Sequence, residues 1–387
     1  MTEFLLANAR LDDGSLVDVT VRDGRVAAVA PAGPAPSAGG LDLQGRLLCP
    51  AFVDGHIHLD KTLLGLPWQS HRPGAGVAER IAAEKRQLAE TTLPVAERAR
   101  TLLRQVIAHG TTRLRCHVDI DPGVGLANLH AVLAVAEELR GTIDIQIVAF
   151  PQSGILAAPG TADLLAAAIV DGASVVGGLD PAGIDGDVEG HLDAVFGIAE
   201  RTGAAVDIHL HDAGLLGAFT LRRIAARSRE AGLQGRCAVS HAYALGGIDP
   251  DEFLRTADAL AEGGVAVMTN GPGPAPMPPV QALTARGVLV FAGSDNIRDA
   301  WSPYGNGDML ERAMLIGYRA GLLTDQGLRL AFSLATTHAG RALGAPEHGV
   351  AVGAVADLVS LDCGHVPEAV VTRPGSRWVF RGGRLLT

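Results

Sequence analysis

Two pairs of closely spaced histidines are the strongest chemical signal in the sequence. His56 and His58 stand two residues apart in FVDGHIHLDK, and His209 and His211 have the same spacing in VDIHLHD. Residues two apart on an extended strand point to the same side, so each pair could bring two imidazoles to one point. Imidazole nitrogens are common ligands of catalytic metals. Either pair alone is a weak signal, because paired histidines also occur without a metal.

Two further polar residues strengthen the case for a metal site. His241 ends the apolar run VSH, and Asp295 follows another in FAGSDNIRD. With the two pairs, they place imidazoles and a carboxylate at the ends of four apolar segments. Such ligands, with one coordination position left open, suit a catalytic zinc or iron(II) that lowers the pKa of its bound water toward about 7. Asp295 could both bind the metal and accept a proton from that water.

These residues end the strands of a repeating strand and helix pattern. The pattern predicts eight strands, at Phe52–His58, Thr112–Val118, Ile143–Phe150, Ser174–Leu179, Ala205–Leu210, Cys237–His241, Val265–Met268 and Val288–Ala292. Helical patterns between them include Ala75–His109, Leu126–Arg140, Thr161–Val170, Val188–Arg201 and Pro250–Ala261. Eight units over about 270 residues fit a (β/α)8 barrel of the TIM type, whose chemistry lies at the carboxyl ends of its strands. A doubly wound sheet is the alternative, but no GxGxxG follows the first strand.

The two ends of the chain have a different pattern. Both are rich in short strands separated by turns with Asp-Gly or Gly-Gly pairs. We therefore predict a small β-sandwich domain built from residues 1–48 and 349–387, beside a barrel of residues 49–348. The segment from Ala30 to Gly40 is expected to be a surface loop.

Composition limits the possible partners. The chain has 387 residues, 48 % of them hydrophobic, and a formal net charge of −10. This charge argues against nucleic acid as a partner, since nucleic-acid binding usually requires a basic patch. The sequence shows no signal peptide and no apolar run long enough to span a membrane, and its four scattered cysteines suit a reducing compartment. We expect a cytoplasmic protein that acts on a small molecule.

Seven segments resemble the amidohydrolase superfamily in order and spacing, in particular its subgroup of cytosine deaminase and N-isopropylammelide isopropylaminohydrolase. They are FVDGHIHLDK, RCHVDID, IDIQIVAFPQSGI, VVGGLDP, VDIHLHDAG, VSHAYAL and SDNIRDAWSPYGNGDM. The resemblance implies one divalent metal ion, Zn2+ or Fe2+, with the ligands His56, His58, His209 and Asp295. It also implies that His241 orients the hydrolytic water and that Gln152 hydrogen-bonds the heterocycle. Asp180, Asn296 and Trp301 would line the pocket, and His211 would contact the substrate or support the site, unless it replaces His209 as the ligand.

Lysine is rare in this chain, and its positions bear on the resemblance. Binuclear amidohydrolases bridge two metals with a carboxylated lysine, commonly on the fourth strand, whereas this chain has lysine only at Lys61 and Lys85. The resemblance therefore implies a single metal. Lys61 stands where cytosine deaminase has threonine, and we expect it to donate a proton or bind the substrate with a pKa lowered by burial. A salt bridge from Lys61 to Asp60 or another acid is the alternative. Asp212 stands where cytosine deaminase has the glutamate that protonates the ring, and its side chain is one methylene shorter.

The function implied is hydrolytic deamination. A metal hydroxide would attack a ring carbon of an amino-substituted nitrogen heterocycle, cytosine-like or aminotriazine-like, and expel ammonia or an alkylamine. Cyclic amide hydrolysis of a lactam or imide is the alternative on the same scaffold, and a metal-binding or ligand-binding homologue without catalysis is a third possibility. The resemblance also favours a homo-oligomer.

Overall fold

The computed structural model describes residues 3–33, 40–72, 74, 76–345 and 347–387. Most of the loop predicted between Ala30 and Gly40 lies outside these residues. The strands are β1 Glu3–Arg10, β2 Leu16–Arg22, β3 Arg25–Pro31, β4 Gly40–Asp42, β5 Leu47–Pro50, β6 Phe52–Ile57, β7 Thr111–Asp119, β8 Asp144–Phe150, β9 Val175–Leu179, β10 Ala205–Leu210, β11 Cys237–His241, β12 Val265–Thr269, β13 Val290–Ala292, β14 Leu358–Leu361, β15 Arg377–Arg381 and β16 Arg384–Leu385. The helices are α1 Val77–Ala89, α2 Val95–Ala108, α3 Ala127–Glu138, α4 Thr161–Asp171, α5 Val188–Thr202, α6 Gly214–Glu230, α7 Pro250–Glu262, α8 Val280–Ala285, α9 Met309–Arg319, α10 Asp325–Leu334, α11 Thr337–Ala342 and α12 Val366–Thr372.

Strands β6 to β13 form the predicted barrel. Each of the first seven of these strands pairs in parallel with the next one along the chain, and helices lie between them. The (β/α)8 prediction is confirmed, and each strand begins and ends within two residues of its predicted bounds. The strand sequences are mostly apolar because both faces of a parallel barrel are covered. The interior side chains cover one face and the helices cover the other.

The barrel closes between its first and last strands. The backbone N–H of Asp295, just after β13, donates to the carbonyl of His56 in β6 at 2.7 Å. Two glycines allow this approach, because a Cβ on Gly55 would lie 2.4 Å from the Phe291 ring and one on Gly293 would lie 2.5 Å from Cβ of His56. The seam therefore requires glycine at both positions, and it carries two of the predicted metal ligands.

The long helical pattern predicted at Ala75–His109 is wrong as a single helix. The structure has two helices there, α1 and α2, and the second begins after Pro94, which is its N-cap. Proline disfavours the helical conformation of the residue before it and lacks the N–H that a helix interior needs. The chain therefore breaks at residues 91–94.

The termini form the predicted second unit. Its strands lie in the order β16-β15-β14-β5-β1-β2-β3, with β4 paired to β1, so by hydrogen bonding the β domain is a single mixed sheet of eight strands from both ends of the chain. Its own apolar core includes Leu6, Val19, Leu43, Leu358 and Phe380. Val359 and Leu361 of β14 point instead into the main core of the barrel. The terminal strands thus pack directly against the barrel.

No helix in the described part of the chain is long and apolar enough to cross a membrane.

Candidate active site

The barrel brings three predicted metal ligands within a few ångströms of one another. Nε2 of His56 lies 3.3 Å from Nε2 of His58, and Oδ1 of Asp295 lies 3.5 Å and 3.4 Å from these two nitrogens. Ligand atoms about 2.1 Å from a tetrahedral ion are about 3.4 Å apart, so the observed triangle has the size that a bound zinc or iron(II) requires.

His209 completes the set from β10. Its ring centroid lies 4.5 Å from that of His56, and nitrogen atoms of His56, His58 and His209 fall within 4.8 Å of one another. Both ring nitrogens of His209 are buried and lack a hydrogen-bond partner among the described residues. Burying a polar group without a partner is costly, so an unpartnered imidazole at this point fits a metal ligand. The ring of Phe150 stacks on His209 at 4.1 Å and fixes its plane.

A buried polar chain fixes the orientation of His56. The hydroxyl of Ser240 donates to Asp207 at 2.8 Å, so its oxygen accepts from Nδ1 of His56, also at 2.8 Å. This arrangement leaves the lone pair of Nε2 directed at the site. Arg115 binds the other oxygen of Asp207 at 2.7 Å and compensates its charge. Sequence reasoning missed this chain, although Ser240 lies one residue from His241 and Asp207 lies two residues from His209.

Asp295 is held from two sides. Its Oδ1 faces the histidines, while Oδ2 accepts from the side-chain amide of Asn270 at 2.7 Å. Burial alone would raise the pKa of this carboxyl, but His241, His56 and His58 outweigh burial and hold the pKa well below its ordinary value. Asp295 is therefore ionised at neutral pH, as a metal ligand must be. Asn270, which directly follows β12, was not predicted, although its place after an apolar strand is the signal that marks the other site residues.

His241 and His211 stack beside the metal ligands. Their ring centroids are 4.5 Å apart with an interplanar angle of 25°. Burial lowers the pKa of His241, so this imidazole is neutral at pH 7. His211 is half-buried, which would lower its pKa, but the nearby carboxylate of Asp180 outweighs that effect and raises the pKa. Nδ1 of His211 lies 2.8 Å from Asp180, which also accepts the backbone N–H of His211. His209 in β10 therefore faces the ligand triangle, and His211, directly after β10, faces Asp180.

Lys61 is buried in a cluster of acids, and the prediction of a lowered pKa is wrong. The side chain is 1 % exposed, with Nζ 2.9 Å from Asp119 and 3.3 Å from Glu84. Burial alone would lower the pKa of the ammonium, but Asp119, Glu84 and Asp60 outweigh burial and raise it. Lys61 is a permanent cation here, in the salt bridge that was the alternative interpretation. Its ammonium also lies 5.3 Å from the centre of the Phe150 ring.

The remaining predicted residues surround these groups. Gln152 is buried directly after β8, and Asn296 donates to the buried carboxyl of Asp299 at 2.7 Å. The indole N–H of Trp301 donates to Glu84 on α1, a residue that sequence reasoning missed. Asp212 is half-buried and accepts from the backbone N–H of Gly183 at 3.3 Å. Burial raises the pKa of Asp212, and the negative charge of the neighbouring Asp180 raises it further.

A cavity of about 550 Å³ opens beside His211. Its wall includes Asp180, Asp212, Ile184 and the first turn of α1, residues 76–79. A cavity of this size can enclose a small organic molecule. The candidate active site therefore has a polar floor at the strand ends and a wall that is partly apolar.

A parallel barrel with these side chains at the carboxyl ends of its strands defines the class of metal-dependent barrel hydrolases. The chain belongs to the amidohydrolase family, whose model matches residues 40–386.

Individual relatives agree with this assignment. The chain is 34 % identical to N-isopropylammelide isopropyl amidohydrolase of Pseudomonas sp. (strain ADP), over 89 % of this chain and 87 % of that protein. Among solved structures, it resembles N-isopropylammelide isopropylaminohydrolase from Burkholderia multivorans, with a TM-score of 0.95, 42 % identity and coverage of 100 % and 98 % of the two chains. It also resembles 5-methylcytosine deaminase from Klebsiella pneumoniae bound to 5-fluorocytosine, with a TM-score of 0.90, 30 % identity and coverage of 100 % and 97 %.

Proposed function

We propose that this protein is a hydrolytic deaminase of an amino-substituted nitrogen heterocycle, cytosine-like or aminotriazine-like, that releases ammonia or an alkylamine. The observation that carries the proposal is the triangle of His56, His58 and Asp295, completed by His209. His211, which lines a cavity of about 550 Å³, stacks on His241 beside these ligands. The names of the relatives support it, because both kinds of solved relative act on substituted nitrogen heterocycles.

The ligand set is suited to one divalent ion. Bound by His56, His58, His209 and Asp295, zinc or iron(II) would supply a water molecule of lowered pKa as the nucleophile. The protein contributes the orientation of the ligands, through Ser240 behind His56 and Asn270 behind Asp295.

The protein's own groups can manage the protons of the reaction. Asp295 is ionised and can accept a proton from the attacking water, and neutral His241 can orient that water. His211 is held by Asp180 with a raised pKa, so it can carry a proton at neutral pH and supply it to the substrate or the departing amine. Asp212 is the second candidate donor, since its pKa is also raised.

Substrate recognition falls to polar and aromatic side chains around this centre. We assign Gln152 to the ring edge and Asn296 and Trp301 to the pocket wall. Lys61 lies between Phe150 and the acids Asp119 and Glu84. Because Lys61 keeps its proton, we assign it to hydrogen bonding with the substrate or to stabilising negative charge on it, and not to proton donation.

The test is an ammonia and amine release screen with the metal-reconstituted protein on cytosine, isocytosine, ammelide and N-alkylated ammelides. Turnover with release of ammonia or an alkylamine is the expected result. Release of a ring-opened acid without amine, from lactams or imides, would favour the cyclic amide hydrolase instead. Complete inactivity on both panels with one metal ion bound would favour a homologue without catalysis.

The proposal includes the metal and the assembly. Metal analysis of protein reconstituted with zinc or with iron(II) under nitrogen should give one ion per chain, and the rates of the two forms identify the better metal. We also propose a cytoplasmic homo-oligomer. Light scattering after size exclusion tests the oligomer, and a mass near 39.9 kDa would contradict it.

A further inference from the structure

Glu84 is a buried carboxylate with no role yet assigned. It lies on α1, and of the 13 residues of that helix, all of them described, two are buried: Ile81 and Glu84. The Glu84 side chain is 1 % exposed. A buried charge is costly unless it is paired and hydrogen-bonded. Its partners therefore decide how α1 is attached to the barrel.

Both oxygens of Glu84 are used by candidate site residues. Oε1 lies 3.3 Å from Nζ of Lys61, and Oε2 accepts the indole N–H of Trp301. Lys61 follows β6 and Trp301 follows β13, so the two partners come from the strands that close the barrel. One carboxylate on α1 thus joins the loops on both sides of the seam.

The N-terminal end of α1 forms part of the pocket. Residues 76–79, at the start of α1, line the cavity together with His211 and Asp180. Glu84 lies less than two turns further along the helix. The contacts of Glu84 with Lys61 and Trp301 therefore determine the position of residues 76–79 relative to the substrate.

We propose that Glu84 is a positioning residue of the substrate pocket, which holds Trp301, Lys61 and the first turn of α1 in the arrangement that binds the heterocycle. It does not touch the reacting atoms. The proposal rests on the proposed function in one respect, that Trp301 and Lys61 face the substrate.

The closing experiment uses the full-length, metal-reconstituted protein and four variants. Glu84→Gln retains an acceptor for the indole but turns an amide N–H toward the Lys61 ammonium. Trp301→Phe removes the indole donor, and the double variant combines both changes. Glu90→Gln is the matched control, because Glu90 is exposed at the C-terminal end of the same helix.

The kinetic result expected is a change in KM with little change in kcat. Glu84→Gln should raise KM about tenfold and leave kcat within about threefold, because it alters binding and not the chemical step. The double variant should raise KM by less than the product of the two single changes, because Glu84 acts in part through Trp301 and in part through Lys61. An unchanged KM in Glu84→Gln, or fully multiplied effects in the double variant, would overturn the proposal.

A spectroscopic measurement separates this proposal from the proposed function. The fluorescence emission of Trp301 is obtained by subtracting the spectrum of Trp301→Phe from that of the wild type. We expect its wavelength of maximum emission to shift in Glu84→Gln and to stay unchanged in Glu90→Gln. An unaltered Trp301 emission overturns the positioning role whether or not a substrate is turned over. Wild-type protein that turns over nothing defeats the proposed function, and the emission then decides alone whether Glu84 holds Trp301.

Discussion

Single carboxyl groups in this site differ in protonation because their neighbours differ. Asp295 faces three histidines and stays ionised, whereas no histidine contributes to the pKa shift of Asp299. Burial, together with Glu84, raises the pKa of Asp299 to about 7, although Asn296 and two backbone N–H groups oppose the shift. The same residue type can therefore serve as a metal ligand at one position and as a neutral hydrogen-bonding group four residues later.

Asp295→Ala should abolish turnover and bound metal. The substitution removes one corner of the ligand triangle and the candidate proton acceptor, so we expect kcat to fall at least about 10³-fold, on the scale of losing a catalytic group. Metal content and kcat are measured on the same preparation. Asp163→Ala, at an exposed position of α4, is the control. A metal-loaded Asp295→Ala enzyme with near-normal kcat would refute the proton role.

The raised pKa of Asp299 predicts a pH-dependent stability. The native state holds this proton to about pH 7, while the unfolded chain releases it near pH 3.8. The contribution of Asp299 to the free energy of unfolding is therefore full below pH 3.8 and is lost as pH rises through about 7. Asp299→Asn should flatten this fall, by no more than about 4 kcal/mol. Urea unfolding at several pH values measures it, and curves parallel to those of the wild type and Asp163→Asn would contradict it.

At the scale of secondary structure, the strand ends explain which residues could be predicted. His56, His58, His209, His241 and Asp295 each follow or end an apolar strand, so the barrel rule alone gathers them. Asn270 also follows an apolar strand, β12, so the same rule could have found it. Glu84 and the Ser240–Asp207 pair have no such local mark, and they become neighbours of the site only through the tertiary packing of α1, β10 and β11. The same limit applies to Lys61: its burial was predicted and a salt bridge to Asp60 or another acid was the alternative, but Glu84 and Asp119 were not named as its partners.

The seam between β6 and β13 gives a prediction about packing. A Cβ on Gly293 would lie 2.5 Å from Cβ of His56, so Gly293→Ala must push the two strands apart. We expect a loss of about 1–3 kcal/mol in the free energy of unfolding, together with weaker metal binding, because His56 moves. Gly375→Ala is the control, since nothing lies within 4 Å of its added methyl group. Equal metal affinity and stability in the two variants would show that the seam tolerates a side chain.

At the scale of the whole molecule, one buried ion pair ties the terminal sheet to the barrel. Arg377 of β15 binds both oxygens of Asp308, at 2.8 and 2.6 Å, and also the carbonyl of His109. Asp308 is the N-cap of α9, so the contact joins the end of the chain to a barrel helix. This long-range pairing was not predicted, although the assembly of one β domain from both termini was.

Arg377→Met should destabilise the fold and spare the chemistry. It leaves the buried Asp308 without its partner, which costs about 3–5 kcal/mol for a buried pair. We expect a lower midpoint of thermal unfolding, with kcat and KM unchanged at 25 °C because the pair lies outside the pocket. The matched control is Arg384→Met, at an exposed position of β16. A loss of stability no larger than that of the control would show that the terminal sheet is held by other contacts.

Because lysine is scarce, the surface of this enzyme offers very few amines for chemical labelling. Of its two lysine side chains, Lys61 is sealed within the acid cluster and Lys85 is 45 % exposed. Lys85 lies on α1, paired with Asp121 and Ser153. An amine-reactive dye would therefore attach, apart from the N-terminal amine, at a single side chain on the helix that forms the pocket wall. A reagent that labels many sites on most proteins would here place one probe on the helix whose first turn lines the pocket.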